Sequence, residues 1–222
     1  MKTVLKFYTN NALHLPSEFQ NDDVRFSDSF AEYFIEHYSK PGNIVFDPFA
    51  GYGTTLYAAE KLKRQAFGLE YLSERVEFIK ENLKNPANIY CGSALKLDEI
   101  KVPGIDLVLT SPPYMQRINH PEYPFAGYEI TGQGYDDYLI DVKEIFKQIK
   151  GRLKIEGYVV VEVSNLLIDG VFTPLAWDIA QAISSTLSFR QEIVIHWQSN
   201  AVPTYGFGYD HSYALIFQNV ED

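Results

Sequence analysis

The chain has 222 residues, the length of one domain of ordinary size, and 29 Asp and Glu against 19 Lys and Arg leave a formal charge of −10 at pH 7. Apolar residues make up 46% and charged residues 22%, a globular composition rather than a disordered one. The acidic balance weighs against unaided adherence to phosphate backbones, because that affinity comes from Lys and Arg displacing counterions. The single cysteine, Cys91, excludes an internal disulfide, suits a reducing compartment, and is expected to be a small buried hydrophobe. No apolar run approaches the ~20 residues of a membrane span. Residues 1–16, with Lys2 and Lys6, lack the apolar core of a signal peptide. A cytoplasmic protein without membrane contact is therefore expected.

Short β-branched runs alternate with segments of helical period, the pattern of an α/β fold with a parallel sheet. Residues 43–46 predict a strand entering Asp47, 54–62 a helix rich in Ala and Leu, and 66–69 a strand ending at Glu70. Ser73 reads as the N-cap of the next helix, where Val76, Ile79 and Leu83 recur at helical spacing. Residues 88–91 and 105–109 are the next two strands. A helix then opens at Asp136 and Asp137, carries the stripe Leu139, Val142, Ile145, Phe146 and Ile149, and closes near Lys147, Lys150 and Arg152. Both charge signs suit its dipole. Residues 158–163 read as a buried strand, 175–183 as a helix, and 192–197 with 212–217 as an antiparallel pair. Two long loops, 115–134 and 198–210, space aromatics among glycines and prolines, which favours a functional role.

Two constellations carry chemistry. In Asp47-Pro48-Phe49-Ala50-Gly51-Tyr52-Gly53-Thr54-Thr55 a strand ends in an acid, a glycine turn follows and a helix begins. Gly51 and Gly53 allow backbone conformations that a β-carbon forbids. Glu70, 23 residues after Asp47, ends the next strand, where a carboxylate can accept from both hydroxyls of a ribose. No Lys follows the glycines, so a nucleotide-phosphate loop is excluded, and the third glycine of the dinucleotide fingerprint is missing. Asp47 is placed to pair with a cationic amino group rather than a pyrophosphate. The second constellation, Thr110-Ser111-Pro112-Pro113-Tyr114, follows the strand 105–109. Its prolines remove two donors and leave carbonyls that accept, beside a hydroxyl and an aromatic face. Acceptors next to a stacking platform suit a planar group bearing an NH₂.

Together these motifs resemble the S-adenosylmethionine-dependent amino-methyltransferases that act on the exocyclic amines of cytosine or adenine in DNA. Residues 41–45, 151–158 and 211–217 are similar to that family as well. The resemblance implies a class I, Rossmann-like fold over residues 1–222: a mostly parallel seven-stranded sheet, helices on both faces and a C-terminal antiparallel hairpin. Residues 1–40 would be an N-terminal extension, with no separate target-recognition domain. It assigns S-adenosylmethionine to Asp47, Phe49, Gly51, Gly53, Thr54, Glu70 and Ser93, with Phe26 and Ser27 lining the same site. It assigns catalysis to Ser111, Pro112, Pro113 and Tyr114, and leaves Arg117, His120 and Tyr123 as substrate contacts. No metal is expected.

A Ser opening the tetrapeptide is typical of the family's cytosine enzymes, so methylation of the 4-amino group of cytosine in DNA is the expected activity, with a place in restriction-modification. Alternatives are adenine in DNA, a base in RNA or single-stranded DNA, and a non-catalytic cofactor-binding subunit. A glutamine methyltransferase would open the tetrapeptide with Asn, and a nicotinamide oxidoreductase lacks its third glycine here. The resemblance implies direct transfer without a covalent intermediate, in keeping with the lack of a Pro-Cys motif. Because only two loops remain to read bases, a homodimer or a separate specificity partner is expected to assist recognition.

Overall fold

A computed structural model describes residues 2–22, 25–117, 122–198 and 210–221. In chain order the elements are β1 (Val4–Tyr8), α1 (Asp28–Tyr38), β2 (Ile44–Asp47), α2 (Thr54–Lys61), β3 (Gln65–Glu70), α3 (Ser73–Asn82), β4 (Ile89–Cys91) and β5 (Ile105–Thr110). After them come β6 (Glu122–Tyr123), β7 (Glu129–Ile130), α4 (Tyr135–Lys150), β8 (Leu153–Val163), β9 (Leu166–Ile168), β10 (Val171–Thr173), α5 (Leu175–Ser184), β11 (Ser188–Gln198) and β12 (His211–Gln218).

The main sheet runs β1-β11-β12-β8-β5-β2-β3-β4. Strands β2, β3, β4, β5 and β8 are mutually parallel, and β12 is antiparallel to both β8 and β11. This matches the expected sheet with its terminal hairpin, except that there are eight strands rather than seven. The added strand is β1, which pairs in parallel with β11. Its own sequence fits the role: Leu5 and Phe7 turn inward while their neighbours stay exposed, the period of a half-buried edge strand. The segment read as an extension therefore supplies β1, and also α1, whose Phe30, Ala31, Phe34 and Ile35 are fully buried.

Each central strand is buried on both faces, so alternate residues feed two cores. Phe46, Leu69 and Val108 pack with α4 and α5, whereas Val45, Leu107 and Leu109 pack with α1, α2 and α3. Within α4, Val142, Ile145, Phe146 and Ile149 are at most 1% exposed, each contributing about 1.5–3 kcal/mol by burial. Leu139 lies only at the margin of that core. The helix is entered through the Gly134 amide, which donates to Asp137 Oδ2 at 3.0 Å. Ser73 is the first residue of α3 rather than its cap. The Leu72 amide that precedes it donates to Glu70 Oε1 at 3.0 Å, so the carboxylate at the end of β3 also fixes the entry to α3. Among the described residues no helix is long and apolar enough to cross a membrane.

Candidate active site

The carboxyl ends of β2, β3, β5 and β8 face one cavity of about 560 Å³, a volume suited to a cofactor with part of a substrate. It opens beside β2 and β5, where the strand order reverses, the position at which parallel sheets bind ligands. Asp47 ends β2 and is 2% exposed. Its Oδ1 accepts from Thr110 Oγ1 at 2.6 Å and from the Phe49 amide at 3.0 Å. Burial pushes its pKa up to about 6, with the hydrogen bonds from Thr110, Phe49 and Thr55 holding it from rising further. No cation among the described residues bears on it.

Glu70 ends β3, also buried, and its Oε2 accepts from the Gly51 amide at 2.8 Å. Burial raises its pKa as well, opposed by the Leu72 amide and by Arg75. The turn between these carboxylates needs its glycines. Gly51 has φ +56 and Gly53 φ +87, and a Cβ on Gly53 would lie 2.9 Å from Tyr57 Cζ. Thr54 Oγ1 is buried in the cavity wall without a hydrogen-bond partner among the described residues. A desolvated carboxylate without a cation, a second one at the end of the next strand and an unsatisfied hydroxyl fit a ligand bearing an ammonium and the hydroxyls of a ribose.

Ser111, Pro112, Pro113 and Tyr114 form the facing wall. The segment is pinned from two sides. Tyr138 Oη donates to the Pro113 carbonyl at 3.0 Å, and Tyr114 Oη accepts from the Ser164 amide at 2.9 Å. The Tyr114 hydroxyl donates in turn to Glu162 Oε2 at 3.3 Å. Glu162 was not among the sequence-predicted residues, yet it lines the cavity at 2% exposure. Its signal is an acid inside the apolar strand 158–163, where an ionisable group requires a reason. Burial raises its pKa, opposed by the hydroxyls of Ser212, Ser111 and Tyr114.

The remaining predicted residues divide. Phe49 lines the cavity and stacks on Phe125, with centroids 5.7 Å apart. Phe26 also lines it, while Ser27 caps α1 by accepting from the Phe30 amide. Ser93 caps the turn Ala94–Glu99 through the Leu95 amide, and its neighbours Gly92 and Ala94 reach the cavity in its place. Tyr123 points into the core, 1% exposed, with its hydroxyl on Asp141. It is apolar support for the wall rather than a substrate contact.

Arg117 lies off the cavity. It pairs with Asp178 at 2.9 Å while its amide donates to Thr173 Oγ1, tying the segment after Tyr114 to α5 and to β10. His120 lies outside the described residues, as does most of the loop 198–210. The loop 115–134 is in part the β6–β7 hairpin, whose turn brings Phe125, Gly127 and Tyr128 to the cavity. Cys91 is exposed, because it is the last residue of the sheet's edge strand. Two arginines unnoticed in the sequence, Arg25 and Arg75, line the cavity beside Tyr52, over whose ring they lie at 5.9 and 4.6 Å.

A family model described as DNA methylase matches residues 9–81, about a third of the chain, which holds the glycine turn and Glu70 but not residues 110–114. The orphan methyltransferase M.BamHII of Bacillus amyloliquefaciens is 42% identical over 60 residues, 27% of this chain and 23% of that protein. The chain thus matches about a quarter of the length of that relative. Among solved structures, TrmN from Thermus thermophilus has a TM-score of 0.59 at 16% identity, covering 86% of this chain and 48% of its own. A TehB-like S-adenosylmethionine-dependent methyltransferase from Corynebacterium glutamicum has a TM-score of 0.57 at 11% identity, covering 90% and 92%. The chain therefore has the class I fold of S-adenosylmethionine-dependent methyltransferases.

Proposed function

We propose that this protein transfers the methyl group of S-adenosylmethionine to an exocyclic amine of a nucleobase, specifically the 4-amino group of cytosine in DNA. One observation carries the reading: the paired carboxylates Asp47 and Glu70 and the segment Ser111–Tyr114 line the same cavity. Asp47 would hold the ammonium of the cofactor's methionine end and Glu70 its ribose, with Thr54, Gly51 and Phe49 completing that side. When bound, the cofactor supplies an electrophilic methyl on a sulfonium.

The chain's own task is to prepare the nucleophile. The lone pair of an aromatic amine is delocalised into the ring. Hydrogen bonds from its two protons to Ser111 Oγ and the Pro112 carbonyl favour a pyramidal nitrogen with the lone pair available. Tyr114 offers a flat face for the base, and its hydroxyl is already fixed by Ser164 and Glu162, so the ring is positioned before substrate arrives. Holding both reactants in one cavity is worth on the order of 7–11 kcal/mol where the geometry is good. A base in a duplex must leave the stack at a cost of a few kcal/mol, which stacking on Tyr114 offsets in part. Arg25 and Arg75 supply positive charge at the cavity of a chain that is acidic overall. The DNA methylase match supports DNA as substrate, and Ser at position 111 supports cytosine.

The test is incubation of genomic DNA and of total RNA with methyl-labelled cofactor, followed by digestion and nucleoside analysis. Label in N4-methylcytosine is expected. Label in methyladenine, or only in RNA, overturns the assignment of base or nucleic acid.

A further inference from the structure

The transfer proposed above creates a surplus proton. An amine nitrogen that gains a methyl group becomes cationic, and one N–H proton must leave for a neutral product to form. Glu162 stands behind the segment that would grip this amine. It projects from β8 to the cavity wall, faces the hydroxyls of Ser111 and Tyr114, and is 2% exposed. Its Oε2 takes the Tyr114 hydroxyl, while Oε1 is buried with no hydrogen-bond partner among the described residues. A buried acceptor left unsatisfied costs about 1–3 kcal/mol, more if charged. Anchoring Tyr114 engages one of the two oxygens, and the Ser111 and Ser212 hydroxyls that face the carboxylate leave the other without a close hydrogen bond.

We propose that Glu162 is the terminal proton acceptor of the methyl transfer, reached from the substrate amine through the Ser111 hydroxyl. The N–H bond breaks with its electron pair remaining on nitrogen. Ser111 Oγ takes that proton and passes its own to Glu162, which ends as a neutral carboxylic acid and returns the proton to water after product leaves. The inference rests on the reading of the site as a nucleobase amine methyltransferase.

The surroundings suit an acceptor. From the loop after β5 the groups bearing on the carboxylate are Ser111 and Tyr114, and from β12 Ser212, so among the described residues no cation holds it ionised. Burial therefore makes it a stronger base than an exposed glutamate. The arrangement also accounts for a hydroxyl at position 111: a carboxylate there would set two like charges against each other in a desolvated site.

The experiment is single-turnover methylation of DNA between pH 5 and 9, with cofactor saturating at every pH, by the unaltered protein, Glu162→Gln and Glu162→Asp, with cofactor affinity measured by calorimetry on each. Glutamine keeps an acceptor for the Tyr114 hydroxyl but cannot take a proton. The unaltered rate is expected to rise about tenfold per pH unit and then level off. Glu162→Gln should lose 10²-fold or more on the plateau, the range of acid–base catalysis, with a flat profile and cofactor affinity within twofold. Glu162→Asp should be slower but keep the sloping limb. A Glu162→Gln variant that keeps both rate and slope overturns the proposal.

Should Glu162→Gln fail to bind cofactor, the Glu162→Asp profile decides, and a flat one refutes the proposal. An activity-independent check is the carboxyl infrared titration of the unliganded protein, differenced against whichever variant folds. Glu162 is expected to titrate above the ordinary range near 4.3, and titration within that range counts against it. If the unaltered protein binds cofactor but labels no nucleobase amine, the functional reading fails and this inference with it. Labelling by the unaltered protein with no dependence on Glu162 leaves the reading intact and removes only the inference.

Discussion

Replacing Asp47 by Asn should stabilise the unliganded protein while destroying its cofactor site. In the folded chain the Asp47 pKa lies at about 6 against an ordinary 3.8, because the carboxylate is desolvated without a cation to offset it. The difference of roughly two units, at 1.36 kcal/mol each, corresponds to a cost on the order of 3 kcal/mol above pH 6. A raised carboxylate pKa acts in one direction only. Below pH ~4 the group is protonated in both states and the cost vanishes; between pH 4 and 6 it grows; above pH 6 it is constant. Asn can still accept from Thr110 and Phe49 at Oδ1, so the turn is retained. Urea unfolding of Asp47→Asn at pH 7.5 should therefore show a gain of about 1–3 kcal/mol over the unaltered protein, shrinking towards zero at pH 4. Calorimetry at pH 7.5 should show S-adenosylmethionine affinity lowered by at least ~30-fold, the low end for removing one partner of a buried charge pair. A variant destabilised equally at both pH values, with affinity intact, would refute the assignment of Asp47 as a strained ammonium receptor.

The same logic predicts that cofactor affinity of the unaltered protein weakens about tenfold per pH unit below pH 6, measured by calorimetry, as Asp47 takes up a proton. Tyr114→Ala should abolish methyl transfer yet leave cofactor affinity within a few-fold, and loss of both together would make the segment structural. Gly53→Ala should lower stability more than Gly51→Ala in urea titrations. Both force an L-residue to positive φ at roughly 1–2 kcal/mol, but only at Gly53 does the new Cβ meet the Tyr57 ring. Cys91, exposed at the sheet edge, should react with iodoacetamide in the folded protein without change in cofactor affinity.

What the sequence revealed and what it hid follow from the range of the interactions involved. The crossovers from β2 to β5 were legible because each strand is a short apolar run and each helix carries its own periodic stripe, both local signals. Asp47 and Glu70 were legible because the sheet places strand-end residues on one rim. The parallel pairing of β1 with β11 joins Val4 to Val194, a separation no local window spans, although the alternation of Leu5 and Phe7 was there to be read. The β9–β10 hairpin had a signal of its own in Asp169-Gly170, both at positive φ, a turn pair that favours hairpins. Tyr123 looked like a contact because aromatics among glycines suggest function. It serves instead as packing beneath Phe125, which does reach the cavity. Glu162 was concealed by the apolar run around it, and its meaning emerges only when β8 is set beside β5 and the Ser111 segment.

The most direct trial is a crystal structure of the protein with S-adenosylmethionine and a cytosine-bearing oligonucleotide. The cofactor's ammonium is expected on Asp47, its ribose on Glu70, and its methyl directed at an amine held between Ser111 and the Pro112 carbonyl. A cofactor bound elsewhere, or a methyl facing away from Tyr114, would contradict this arrangement.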